Sequence, residues 1–200
     1  DILNIEKIDI KKKYNIDSFI LFLGRFNKVK GIDVLINAIN LIKNHSEFKK
    51  TQLLIMGVDF GYEEEMLQLI GEYNLQDKIK VIKNPSRKEV ISAYNQSEFL
   101  VLPSRWELSP LTPLEGFAFK KPVISSNVHG IPYTVTHNVN GLLVEPENHN
   151  ELANAITELL TDKNKRLAYG NAGYDLVDSV CNSIIMSKET LKVYEKTIKK

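Results

Sequence analysis

The sequence holds few of the residues that build disulfides and metal centres. One cysteine and four histidines occur among its 200 residues. A single cysteine excludes an intrachain disulfide and a cysteine-rich zinc site, and the histidines lack the close spacing of metal ligands. We therefore predict no metal site and no disulfide framework, and we expect the reducing cytoplasm as the compartment of the protein.

Long apolar runs and an excess of one charge are also missing. No stretch approaches the roughly 18–20 consecutive apolar residues that cross a bilayer. The 26 Lys and Arg residues nearly balance the 25 Asp and Glu residues, which leaves a formal net charge of +1. We predict neither a nucleic-acid partner nor a membrane span in this chain. Membrane association of a longer protein stays an open alternative.

Several common enzyme fingerprints are absent as well. The chain contains neither the Gly-x-Gly-x-x-Gly of dinucleotide-binding folds nor the Gly-Lys-Ser/Thr of a P-loop. A Gly-x-Ser-x-Gly elbow is missing too, so serine-hydrolase chemistry is poorly supported. The sequence begins at Asp1 without an initiating Met or a signal-peptide pattern. We interpret it as a fragment of a longer protein.

What the chain does contain is a regular alternation of short apolar runs and helical periodicity. Hydrophobic residues make up 43% of the chain and charged residues 26%, which is ordinary for a globular protein with a core. Strands are predicted at 18–24, 53–57, 79–82, 99–102, 123–126 and 142–144, and the last three helices at 151–160, 163–175 and 183–199. This alternation predicts an α/β fold, a doubly wound parallel sheet of Rossmann-like type with C-terminal helices.

The predicted organisation is one domain with two short extensions. Residues 1–17 are polar and lysine-rich, and we interpret them as a linker and a short helix. Residues 18–180 are predicted to form the Rossmann-like domain, and residues 181–200 a C-terminal helix.

A basic loop follows the first predicted strand. Gly24 ends that strand, and Arg25, Lys28 and Lys30 precede the next helix. Cations near a helix N-terminus have the wrong sign for the helix dipole, whereas a phosphate there would accept bonds from both the cations and the helix amides. The loop therefore indicates a phosphate site, with a solvated basic loop as the alternative.

Two carboxylates flank a proline-rich loop after the fourth predicted strand. Glu107 lies in the loop and Glu115 near the start of the next helix. Because open α/β sheets bind ligands at the carboxyl ends of their strands, both acids are candidate site residues. The alternatives are a surface carboxylate for Glu107 and, for Glu115, a capping box with Thr112 as N-cap and Pro113 at the first helical position.

Together these motifs resemble the donor-binding C-terminal half of GT-B glycosyltransferases, in the large retaining family 4, or group 1. Gly24-Arg25 followed by Lys30-Gly31 is similar to that family's Gly-Arg-x4-Lys-Gly loop, and Glu107 with Glu115 matches its Glu-x7-Glu motif. Three later segments also match, namely Lys121-Pro122-Val123-Ile124, Gly130-Ile131-Pro132 and Asn140-Gly141-Leu142-Leu143-Val144. The similarity covers roughly residues 19–160.

The resemblance implies a role for the matching residues. Arg25 and Lys30 would hold the diphosphate of a nucleotide sugar and stabilise the leaving group, and Glu107 would lie beside the sugar; these three form the predicted catalytic set. Glu115 would accept hydrogen bonds from the ribose. The rest of the predicted donor-binding set is Gly24, Asn84 near the base, Ser109, and Leu111 and Thr112, whose amides would contact phosphate.

The activity implied by the resemblance is that of a retaining, metal-independent glycosyltransferase. This chain would bind the nucleoside-diphosphate sugar as donor substrate, with no cofactor. A glycan or lipid-linked acceptor would bind to an N-terminal domain that we expect to be missing from this chain, so that the fragment alone would be inactive. Two alternatives stay open: half of a GT-B sugar-nucleotide epimerase, and a non-catalytic nucleotide-binding module.

Overall fold

A parallel six-stranded sheet organises the chain in the computed structural model, which describes residues 6–181 and 183–198. The strands are β1 (Ser18–Leu23), β2 (Thr51–Gly57), β3 (Ile79–Lys83), β4 (Leu100–Leu102), β5 (Val123–Ser126) and β6 (Gly141–Val144). Their order is β3-β2-β1-β4-β5-β6, and every neighbouring pair is parallel. The predicted doubly wound parallel sheet is confirmed.

Helices connect successive strands from β1 to β5 and extend the chain beyond the sheet, whereas a 3₁₀ turn at Ile131–Tyr133 lies between β5 and β6. They are α1 (Ile10–Tyr14), α2 (Ile32–Ile42), α3 (Glu63–Glu72), α4 (Arg87–Gln96), α5 (Leu111–Ala118), α6 (His149–Thr161), α7 (Lys163–Val180) and α8 (Ser183–Ile198). The predicted helix at 163–175 ends too early: α7 continues to Val180, because Leu176 and Val177 still pack against the core. No helix in the described ranges is long and apolar enough to cross a membrane.

The core lies on both faces of the sheet. A continuous apolar run, such as the one in β1, is typical of a strand that is covered on both faces. In β1, Ile20 and Phe22 point into a layer formed mainly by α2, α3 and α6, whereas Phe19 and Leu21 point into a layer formed by α1, α4, α5 and part of α7. All four side chains are fully buried. This two-sided burial fixes β1 in the middle of the sheet.

The two predicted extensions differ in how they meet the domain. At the N-terminal end, Ile10 of α1 is fully buried, and Lys13 and Tyr14 both donate to Glu89 of α4. Residues 1–5 of the predicted linker lie outside the described residues. At the C-terminal end, α8 buries none of its side chains, and residues 182, 199 and 200 of the predicted C-terminal helix lie outside the described residues.

The strand order reverses between β1 and β4. The chain leaves β1 through α2 and builds β2 and β3 on one side, then returns to place β4 on the other side of β1. At such a reversal the two connections leave in opposite directions, which opens a crevice at the carboxyl ends of the strands. The basic loop follows β1 and the loop carrying Glu107 follows β4, so both border this crevice.

Candidate functional site

The basic loop and the acidic loop meet across the crevice between β1 and β4. Lys30 Nζ forms an ion pair with Glu107 Oε1, and the buried hydroxyl of Ser104 donates to the same oxygen at 3.1 Å. The Lys30 and Glu107 side chains are only 19% and 16% exposed. They border a cleft of about 230 Å³, here called the switch-point cleft, lined by Arg25, Asn27, Val29, Lys30, Trp106 and Glu107.

The backbone of the basic loop is fixed by its own sequence. The Asn27 side chain accepts from the Val29 amide at 2.9 Å, which caps the short 3₁₀ turn Lys28–Lys30. Gly31 ends that turn at φ +66°, and a Cβ at this position would lie 1.9 Å from the Pro103 carbonyl oxygen. The absence of a side chain at Gly31 therefore lets the two loops touch and brings Lys30 within reach of Glu107.

Arg25 lies on the open side of the same cleft. Its side chain is exposed, and its guanidinium stacks over the ring of Phe60 with 5.1 Å between Cζ and the ring centroid. Among the described residues no carboxylate forms an ion pair with Arg25. Arg25 is therefore a held cation whose charge no neighbouring side chain neutralises.

The loop after β5 supports Glu107 from the other side. Gly130 donates its amide to the Glu107 carbonyl oxygen at 2.9 Å. A Cβ at Gly130 would lie 1.6 Å from the Leu108 carbonyl oxygen, so only glycine permits this approach. Trp106 stands edge-on to His129 with ring centroids 6.0 Å apart, and it leaves half of its surface exposed beside the cleft.

The predicted capping box at Glu115 is wrong. Helix α5 begins at Leu111, with Pro110 as N-cap and no side-chain cap, so Thr112 is the second helical residue and Pro113 the third. Pro110 has φ −71° and ψ 127°, the extended conformation of an N-cap residue. Proline is tolerated in the first turn because its missing N–H would have no intrahelical acceptor. Leu111 and Thr112 are the first two residues of the helix. That their amides donate to an anion stays a prediction.

Glu115 has a different partner, Tyr94 of α4. The Tyr94 hydroxyl donates to Glu115 Oε2 at 2.6 Å, and its ring stacks on Phe119 with centroids 5.8 Å apart. Burial, together with the negative charge of Glu115, holds the pKa of Tyr94 well above its usual value. Tyr94 therefore stays a hydrogen-bond donor at all physiological pH values and fixes one oxygen of the Glu115 carboxylate.

The remaining predicted residues lie along the same edge of the sheet, outside the switch-point cleft. Gly24 follows β1 directly and lies beside Gly57, the last residue of β2. A Cβ at Gly57 would lie 1.8 Å from the Gly24 carbonyl oxygen. Asn84 follows β3, two strands away from β1, and is exposed at φ +53°. Ser109 is exposed just before α5. The structure brings Arg25, Lys30 and Glu107 together, and it distributes the other candidates around them.

Arg105 is not among the predicted site residues, although its guanidinium binds two carboxylates and a carbonyl oxygen. Its guanidinium donates to both oxygens of Asp33, at 2.8 and 2.7 Å, and to the carboxylate of Glu147. The hydrogen bonds to Asp33 raise the pKa of Arg105 above its usual value, although burial opposes this. No sequence signal identifies these partners, because Asp33 and Glu147 lie 72 and 42 residues away along the chain.

Within the described ranges, no group of three or more His, Cys, Asp or Glu side chains is placed to hold a metal ion. The charged side chains that line the switch-point cleft are the two cations Arg25 and Lys30 and the carboxylate Glu107. This combination favours an anionic ligand.

Comparison with known proteins agrees with the fold and the motifs. The family model described as glycosyl transferases group 1 matches residues 4–176. An uncharacterised glycosyltransferase of Methanocaldococcus jannaschii, MJ1178, is 34% identical over 168 residues, which cover 78% of this chain and 42% of that protein.

Solved structures show the same architecture. Sucrose-phosphate synthase from Thermosynechococcus elongatus superposes with a TM-score of 0.85 at 27% identity, over 99% of this chain and 51% of that one. Anabaena HepE, solved in complex with UDP-glucose, gives a TM-score of 0.82 at 20% identity over 94% and 51% of the two chains, which supports the fold alone. The chain thus spans about half the length of the proteins it matches, as the C-terminal half of a GT-B fold, and it belongs to the glycosyl transferases group 1 family.

Proposed function

We propose that this chain is the donor-binding domain of a retaining, metal-independent glycosyltransferase. One observation carries the proposal: Lys30, Glu107 and the unpaired Arg25 share one cleft at the point where the strand order reverses. The donor is a nucleoside-diphosphate sugar, and its diphosphate lies between the two cations and the N-terminus of α5. The acceptor, a glycan or a lipid-linked molecule, binds to a further domain of the longer protein.

The charge arrangement suits a diphosphate leaving group. As the bond to the sugar breaks, negative charge develops on the nucleoside diphosphate. Arg25 and Lys30 are already in place, and the amides of Leu111 and Thr112 have no intrahelical acceptor. Fixed donors of this kind stabilise developing charge without reorganising during the reaction. In this proposal they supply the stabilisation that a divalent cation provides in other transferases.

Glu107 divides the cleft into a phosphate side and a sugar side. Its Oε1 is shared by Lys30 and Ser104, which holds the carboxylate in one orientation. The other oxygen can then accept from a sugar hydroxyl beside the half-exposed Trp106. Glu115, held by Tyr94, accepts from the ribose, and Asn84 lies at the strand end assigned to the base. HepE, which shares this fold, was solved in complex with UDP-glucose, a donor of the proposed class.

Calorimetric titration with UDP-, GDP- and ADP-sugars tests the proposal. The protein should bind at least one of these donors, and binding should persist in excess EDTA. Replacing Arg25 or Lys30 by Ala should weaken binding about 10- to 100-fold, because a hydrogen bond to a charged group contributes roughly 1.5–3 kcal/mol.

Lys192 is the matched control. It is an exposed lysine, also ion-paired, with Glu189 on α8, and Lys192→Ala should leave the affinity unchanged. Equal affinity in wild type, Arg25→Ala and Lys30→Ala would contradict the phosphate role. If no nucleoside-diphosphate sugar binds at all, a binding module for another ligand becomes the better description.

A further inference from the structure

Every N–H donor of the Arg105 guanidinium is occupied. Nε and Nη2 donate to the two oxygens of Glu147, Nη1 and Nη2 donate to the two oxygens of Asp33, and Nη1 also donates to the Lys28 carbonyl oxygen. A guanidinium has five N–H groups, and these five bonds use all of them. The side chain is 23% exposed, so most of it is shielded from water.

This count separates two possible roles for an arginine located two residues before Glu107. A phosphate ligand needs free N–H donors, and Arg105 has none, because two carboxylates and a carbonyl oxygen occupy all five. Arg25, which lines the switch-point cleft, forms no ion pair with a carboxylate of the described residues. We propose that Arg105 is a positioning residue that sets the separation of Lys30 and Glu107 without contacting the donor itself.

The contacts of Arg105 join four parts of the chain. Its backbone amide donates to the Val29 carbonyl oxygen at 2.8 Å, and its side chain binds the Lys28 carbonyl oxygen, so the acidic loop is attached to the 3₁₀ turn that carries Lys30. Asp33 connects the same guanidinium to the first turn of α2. Glu147 connects it to the connection between β6 and α6.

The partners show that this arrangement is specific. Glu147 adopts φ +63°, a left-handed conformation that costs a residue with a Cβ some energy, and two hydrogen bonds to Arg105 offset this cost. Lysine can replace Arg105 only in part, since an ammonium keeps the charge but has three donors and no planar fork for two carboxylates. A loose Arg105 would free the turn Lys28–Lys30 to move relative to Glu107.

Hydrogen–deuterium exchange of the ligand-free protein tests the positioning role without any donor. In Arg105→Gln, the amides of residues 28–31 and 104–108 should exchange at least about tenfold faster, because the attachment between the loops opens locally. The amides of α5 should keep their rates. Lys165→Gln, which removes a comparable ion pair with Glu158 far from the cleft, should change neither region. Unchanged exchange in both loops of Arg105→Gln would overturn the proposal.

The second readout rests on the proposed function and compares nucleoside diphosphates with their nucleosides. Arg105→Gln should weaken binding of UDP, GDP or ADP, whichever the wild type prefers, about tenfold, and leave the affinity for the parent nucleoside unchanged. Arg105→Lys should recover part of the loss. A mere loss of folding would lower both affinities together.

The two readouts fail in different ways. A wild-type protein that binds none of these diphosphates would contradict the proposed function, and the exchange rates alone would then decide the role of Arg105. A wild type that binds, paired with an Arg105→Gln variant of equal diphosphate affinity, would contradict the positioning role and leave the proposed function standing.

Discussion

The bond between Tyr94 and Glu115 gives a prediction with two separate readouts. Tyr94→Phe deletes one hydroxyl and keeps the ring, so the stack on Phe119 survives and the change opens little space. The Glu115 carboxylate then loses the hydrogen bond of 2.6 Å that the Tyr94 hydroxyl donates, and the tyrosine that donates it is only 2% exposed. A hydrogen bond to a charged group contributes about 1.5–3 kcal/mol, so we expect a loss of that size in unfolding free energy.

Thermal unfolding measures the first effect. For a protein of this length, a loss of about 1 kcal/mol lowers Tm by roughly 2–4 °C, so Tyr94→Phe should lower Tm by about 3–12 °C. Tyr194→Phe is the control, because Tyr194 on α8 is 62% exposed and its hydroxyl should contribute nothing measurable. An unchanged Tm in Tyr94→Phe would show that the hydroxyl does not stabilise the carboxylate.

The second effect concerns the ribose. If Glu115 accepts from the ribose hydroxyls, the wild type should prefer a ribonucleotide over its 2′-deoxy form by about tenfold, and Tyr94→Phe should reduce this preference because the carboxylate is no longer oriented. Glu115→Ala, which removes the acceptor, should abolish the preference. A variant that loses stability and keeps the full ribose preference would show that Tyr94 and Glu115 serve the fold alone.

Two further predictions concern the scaffold of the site. Gly31→Ala should destabilise the protein by at least about 3 kcal/mol, because its Cβ would lie 1.9 Å from the Pro103 carbonyl oxygen. The control is Gly61→Ala, at φ +83° with nothing within 4 Å of the new Cβ, which should cost only about 1–2 kcal/mol of backbone strain. Equal losses of unfolding free energy in chemical denaturation would contradict the role of the Pro103 contact. Hydrogen bonds from Lys13, Tyr14 and Ser86 lower the pKa of Glu89 from 4.5 to about 2, so its contribution, at most about 3 kcal/mol, is present above pH 4.5 and lost as the pH falls towards 2. Glu89→Gln should flatten this part of the stability–pH curve, and a curve of unchanged shape would show that Glu89 is not responsible.

The sequence predicts the sheet well because most of its strands are buried on both faces. A run such as residues 19–23 has no polar position, and little except a central parallel strand accommodates it. The other strands are also predicted within two residues of their observed bounds, including β3, whose lysines are exposed. The carboxyl-edge positions of Lys30 and Glu107 follow from the strand ends alone.

Helix starts and long-range ion pairs were harder to predict. Proline stands at both 110 and 113, and each position fits a helix start, so the sequence could not decide between Thr112 and Pro110 as the N-cap. Tyr94 is 21 residues from Glu115 along the chain, and their contact depends on how α4 and α5 pack on the same face of the sheet. Such contacts are tertiary, and no local periodicity encodes them.

The central claim is that a nucleoside-diphosphate sugar binds at the carboxyl edge of the sheet between β1 and β4. The most direct measurement is a crystal structure of the protein in complex with the UDP-, GDP- or ADP-sugar that binds best. We expect diphosphate oxygens within hydrogen-bonding distance of Arg25 and Lys30, with the sugar beside Glu107. A donor bound elsewhere on the domain, or a diphosphate that contacts neither cation, would contradict it.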